Sequence, residues 1–199
     1  MKREAFLARV RQALHRSPGD PREVPPVPPE PLATWDCAVL METFSEALAA
    51  VGVELHRVDS WEQARAVAGE VLGELVVNRS GEVAVGELLK DLELEFTADP
   101  TVAEIGVTGV LCAIAETGTL VLSSEAGRFA SLLPMRHLAL VREEQLVPTM
   151  AEALAKYGDE LPSAWVQATG PSRTADIELT LSIGVHGPGV VHVVLLSGS

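Results

Sequence analysis

The chain has 199 residues, with 15 Lys+Arg against 28 Asp+Glu and a formal net charge of −13 at pH 7. Hydrophobic residues make up 47% and charged residues 22%, so the composition is globular, and the length suits one principal domain whose core needs no disulfide or structural metal. The acidic balance excludes a whole-surface nucleic-acid binder, which needs a positive footprint to displace counterions.

Two cysteines, Cys37 and Cys112, exclude a disulfide scaffold, a four-cysteine zinc site and an iron–sulfur cluster built by this chain alone. The opening MKREAFLARVRQALHR is broken by charge throughout, unlike a secretory signal. No window reaches the ~18 uncharged apolar residues of a membrane helix. These features predict a soluble, cytoplasmic protein with no membrane span.

Residues 1–17 carry five cations against Glu4 alone, a net charge of +4, which leaves −17 on the rest. Phe6, Leu7, Val10, Ala13 and Leu14 recur at helical spacing, so this arm reads as a basic amphipathic helix. Either it docks on an acidic partner or membrane surface, or it packs on its own chain or a sister subunit. Residues 18–34 form a linker, with seven of the 13 prolines in 18–31 predicting an extended tether. The compact domain is expected over 35–199.

Within it, helices and short apolar runs alternate. Leu40–Val51 is a helix stopped by Gly52, and Val53–Val58 a strand. Ser60 caps a helix over Trp61–Leu72, Leu75–Asn78 is a buried strand, and a weaker helix–strand pair crosses Gly86–Thr97. Ala113–Ser123 holds two β-runs pinched at Thr117-Gly118. His137–Val141 reads as a strand, Pro148–Tyr157 as a helix and Trp165–Ala168 as a strand. Arg173–Ile183 reads as a helix and Val190–Leu196 as the final strand. This alternation predicts an α/β fold, a mainly parallel sheet with helices on both faces.

Two glycine-and-hydroxyl segments stand out. Thr169-Gly170-Pro171-Ser172-Arg173-Thr174-Ala175-Asp176 lies between a strand and the expected helix, where a helix N-terminus offers free N–H donors. Gly170 permits close backbone approach, Ser172 and Thr174 offer hydroxyls, and Arg173 offers a guanidinium fork for carboxylate or phosphate. The segment is equally an ordinary helix start, with Ser172 or Thr174 capping and Asp176 complementing the dipole. The other segment, Glu116-Thr117-Gly118-Thr119, reads first as a hairpin turn, and Glu116 is either a general acid or base or an ordinary solvated carboxylate beside the turn. His186, in a glycine loop, suits proton transfer or ligand contact, whereas His137 and His192 read as structural. No metal site is predicted, and Cys112 reads as a small core residue.

The strings AIAETGTLVLSS (113–124), SLLPMRHLALV (131–141), TGPSRTADIE (169–178) and GVHGP (184–188), in this order, strongly resemble the LUD-domain family. The resemblance spans roughly residues 35–197, plus a similar N-terminal arm. One departure is Leu111, apolar where many relatives carry a polar or acidic residue. The resemblance implies a fold similar to the glucosamine-phosphate isomerase, ribose-phosphate isomerase and CoA-transferase group. It implies a component of a three-protein system that oxidises L-lactate to pyruvate, with iron–sulfur clusters in the two sister proteins and no cofactor here. It implies a site for an organic anion or a partner at Glu116, Thr117, Gly118, Thr119, Gly170, Ser172, Arg173, Thr174, Asp176 and His186, with catalytic residues unassigned. The alternative is a free-standing isomerase or CoA-transferase-like enzyme acting on a sugar phosphate or acyl-CoA.

Overall fold

The computed structural model describes residues 3–13, 35–127, 129–157, 162–175, 181–183 and 187–198. The chain divides into two units, residues 1–33 and 34–199. In the first, α1 (Arg3–Ala13) buries no residue and runs from Glu4 to Arg11, a charge order that suits its dipole. The expected proline-rich linker, residues 18–34, lies outside the described residues. Among the described residues no helix is long and apolar enough to cross a membrane.

The second unit opens with α2 (Cys37–Val51), capped by the Asp36 carboxylate, which accepts the Ala38 N–H. Gly52 stops it in the left-handed region, at φ 82°. Then follow β1 (Glu54–Val58), α3 (Trp61–Leu72), β2 (Val77–Arg79), α4 (Val83–Leu88) and β3 (Ile105–Thr108). Next are β4 (Cys112–Ile114), β5 (Thr119–Ser123), α5 (Phe129–Leu132), β6 (Arg136–Arg142), β7 (Leu146–Val147) and α6 (Met150–Tyr157). The rest is β8 (Trp165–Thr169), β9 (Arg173–Ala175), β10 (Leu181–Ile183) and β11 (Val190–Leu196).

Five strands form one sheet in the order β1-β11-β6-β3-β2. Every pair in it is parallel, so the fold is α/β, as its sequence pattern predicts. A second sheet, β7-β4-β5-β8, contains the expected hairpin at Thr117-Gly118. The parallel sheet is largely buried on both faces, which is why β11 is apolar at every position but His192. Val191, Val193 and Leu195 join Ala139 and Val141 against Phe44 and Leu48 of α2 and Leu120 and Leu122 of β5. Val194 and Leu196 join Leu138 and Leu140 against Ala64, Ala68 and Leu72 of α3 and Leu88 of α4. A smaller cluster holds Cys112, Ile114 and Val121 under Ala153 of α6, and burial pushes the Cys112 thiol up to about 11.

The structure corrects three sequence expectations. Arg173–Ile183 holds no continuous helix: β9 and β10 pair antiparallel, with Thr174 opposite Ser182. The strand expected before Thr97 reduces to one bridge between Phe96 and Val77. β3, which pairs with both β6 and β2, is a strand the sequence pattern does not announce. Gly106 in β3 is a close-approach position, since a methyl there would lie 1.6 Å from the Ala130 carbonyl oxygen of α5. Gly106→Ala is therefore expected to cost more than ~2 kcal/mol, read as a lower urea midpoint with unchanged m value.

Candidate functional site

α2 runs antiparallel to β1, so its carboxyl end lies at the amino ends of the parallel strands and its amino end at the carboxyl rim. The two rims are chemically different.

At the amino rim the motif strings come together. β5 and β8 pair with Thr119 opposite Thr169, which joins segments 50 residues apart. The hydroxyls of Thr117, Thr119 and Thr169 form a chain with two oxygen–oxygen distances of 2.7 Å. Two bonds use two of the three hydroxyl protons, which leaves one proton of the chain not used within it. The Ser172 N–H donates to the Pro188 carbonyl at 2.8 Å, which brings in the third string. Gly187 touches Ser172: a methyl on Gly187 would lie 3.3 Å from its Cβ. Glu116 is exposed beside the turn, its N–H donating to the Pro148 carbonyl. Thr174 falls in β9, and Asp176 and His186 lie outside the described residues.

Two of the sequence-predicted residues act on α2 directly. Gly118 (φ 64°) and Gly170 (φ 75°) press on its last turns, where added methyls would lie 2.9 Å from the Ala47 carbonyl carbon and from Val51 Cβ. The Arg173 Nη2 donates to the Val51 carbonyl at 2.7 Å. With no helix starting at Arg173, its guanidinium does not sit at a positive helix end as expected. It sits at a negative one, satisfying an α2 carbonyl that has no intrahelical partner.

The carboxyl rim receives the first turns of α2 and α3, both positive dipole ends. Two clefts open here. One, of about 460 Å³, is lined by Cys37, Trp61, Arg142, Glu143 and Ser197. The other, of about 450 Å³, is lined by Glu82, Gly109 and Gln145 and shares Trp61 and Arg142 with the first. The carboxylates around them are engaged. Glu143 accepts the Cys37 thiol at 2.5 Å, and Glu144 lies 2.9 Å from Arg142 Nη1. Glu82 accepts the Ser80 hydroxyl, and Glu87 pairs with Arg65. Arg142 Nε, in contrast, is buried with no hydrogen-bond partner among the described residues. A helix N-terminus ordinarily favours thiolate. The Glu143 hydrogen bond overrides this and, with partial burial, pushes the Cys37 thiol up to about 11, which keeps it protonated.

Sequence reasoning missed Trp61 and Arg142. The signal was position: each directly follows or ends a parallel strand, where open α/β sheets collect ligands.

The histidines divide. His137 is fully buried, its Nε2 2.8 Å from the Thr108 hydroxyl, and burial lowers its pKa from 6.5 to about 4. Between those values the unfolded chain binds a proton that the folded chain does not, so stability falls as pH drops through the window. His137→Asn is expected to remove a loss of about 3 kcal/mol between pH 6.5 and 4, read by urea titration at each pH. Thr119→Val breaks the hydroxyl chain and is expected to cost about 1 kcal/mol at pH 7 in the same assay.

Comparison with known proteins agrees with this architecture. The LUD domain family model matches residues 90–196. Lactate utilization protein C of Deinococcus radiodurans is 34% identical over 191 residues, covering 88% of this chain and 87% of that protein. Lactate utilization protein C of Bacillus licheniformis is 46% identical over 94 residues, and there the chain spans 39% of the relative's length. Among solved structures, a DUF162 family protein from Deinococcus radiodurans superposes with a TM-score of 0.62 at 24% identity, covering 81% of this chain and 99% of that one. That likeness shows the fold.

Proposed function

The chain therefore belongs to the LUD-domain family, and from that premise we propose that it serves lactate utilisation as the cluster-free component of a system oxidising L-lactate to pyruvate. The observation that carries this reading is the near-full-length likeness to the Deinococcus radiodurans protein of that name. Two cysteines, one of them in the core, cannot supply the four thiolates of a cluster, which suits a cluster-free component; the family resemblance implies that the two electrons leaving lactate pass to iron–sulfur partners.

The chain's own contribution is to hold a small organic anion at the carboxyl rim. Lactate and pyruvate each present a carboxylate, and Arg142 Nε is a buried donor in need of an acceptor. Trp61 gives both clefts an apolar wall, and the first turns of α2 and α3 add positive potential in an acidic protein. A second reading places the anion or a partner's loop at the amino rim, favoured by the meeting of Thr117, Thr119 and Thr169 with Ser172 and Arg173.

Thermal unfolding with added lactate or pyruvate separates the two. An anion at a hundredfold excess over its Kd is expected to stabilise the wild-type chain by about 2.7 kcal/mol. Arg142→Gln should abolish that gain and Thr119→Val should keep it; the reverse pattern moves the site to the amino rim. Deletion of the chain should impair growth on L-lactate while leaving growth on other carbon sources intact. Unimpaired growth on L-lactate contradicts the proposed role.

A further inference from the structure

A separate cluster lies on the α3-facing side of the parallel sheet, near its amino rim. Glu54 and His56 are two residues apart on β1, so both side chains leave the same face, that of buried Val58. The parallel register sets His192 of β11 beside Glu54, on the same face as Val194 and Leu196. His56 Nε2 lies 3.3 Å from His192 Nδ1, and Glu54 Oε2 lies 3.3 Å from the same Nδ1. The three ligand atoms all fall within 4.8 Å of one another.

An imidazole nitrogen carries either one proton or one lone pair, and His192 Nδ1 faces two partners at once. As a donor it must share one proton between the Glu54 carboxylate and the His56 Nε2 lone pair, 3.3 Å from each. As an acceptor from His56, its lone pair faces a carboxylate oxygen. A cation at the centre would take a lone pair from each of the three atoms at once. Two of the three separations match a zinc site: Zn–N and Zn–O bonds of about 2.0–2.1 Å make a tetrahedral edge of about 3.3 Å.

We propose that Glu54, His56 and His192 form a three-ligand site for a divalent transition-metal ion such as Zn2+, with a fourth position open to solvent. Two imidazoles and one carboxylate suit a borderline ion better than Ca2+ or Mg2+, which prefer all-oxygen sites. Both rings are half-buried on strands, so little side-chain freedom remains to be lost on binding. Arg136 enters from β6 on the same face, and the Glu54 carboxylate offsets its charge. The site is independent of the anion cleft, which lies at the opposite rim.

Calorimetric titration of ZnCl2 into chelator-treated full-length chain tests this. One equivalent is expected to bind, and His56→Ala and His192→Ala should each weaken that binding by at least about tenfold. Zn2+ should also shift the wild-type ring resonances of His56 and His192 while leaving buried His137 unmoved. Uptake unchanged in both variants overturns the proposal, as does titration of the wild-type chain without a response at those two rings. The ring measurement decides the matter if a variant fails to fold. Because Zn2+ is read without lactate, a negative result here leaves the anion reading standing, and a flat anion response leaves this one standing.

Discussion

The carboxyl end of α2 is the joint on which the rest of the domain depends. Gly52 turns the chain into β1 while Gly118 and Gly170 let two loops of the second sheet press against the helix backbone. Arg173 closes the arrangement by donating to the Val51 carbonyl. Left-handed φ at all three glycines, with almost no room for a methyl at Gly118 and Gly170, makes this contact a matter of backbone shape. The positive charge at a helix carboxyl end then adds electrostatic stabilisation. Through it the mixed sheet is pinned to the parallel one, and Thr119 meets Thr169 across the seam.

The same constraint fixes the chemistry of the rims. With α2 antiparallel to β1, its unsatisfied carbonyls face the amino rim and its unsatisfied N–H groups face the carboxyl rim. The amino rim commits Arg173 to that carbonyl end. The carboxyl rim keeps a buried guanidinium nitrogen unpartnered among carboxylates that are already engaged. In the proposed reading, an acidic chain thus holds a local place for negative charge, set by helix direction rather than by net charge. The metal-ligand cluster uses neither rim's dipoles, because strand register alone brings Glu54, His56 and His192 together.

Much of the fold was legible because the central parallel strands β6 and β11 are short and mostly apolar and α2 and α3 are capped; Ser60 and Gly52 each did what their residue types predict. The strand pairing of 173–175 with 181–183 was legible too, but in a period that was overlooked. Ala175, Ile177, Leu179, Leu181 and Ile183 alternate strictly with polar residues, a strand signal, whereas the helix reading leaned on the preceding Gly-Pro-Ser as a start. β3 could not be read, since Gly106 breaks its apolar run for the sake of a tertiary contact with α5. The site residues divide likewise. The meeting of the glycine-hydroxyl strings follows from the pairing of β5 with β8, while their position at the amino rim depends on helix direction, which no local spacing encodes. Glu54-x-His56 carried a usable signal, two ligands on one strand face, that is complete only once β11 is placed beside it.

Crystals grown with pyruvate in large excess over its affinity put the assignment of the rims to the most direct test. Carboxylate density against Arg142, walled by Trp61, is the predicted result. Density instead at the Thr119–Thr169 seam, with Arg173 drawn away from Val51, would contradict the division between an anion-holding carboxyl rim and a structural amino rim.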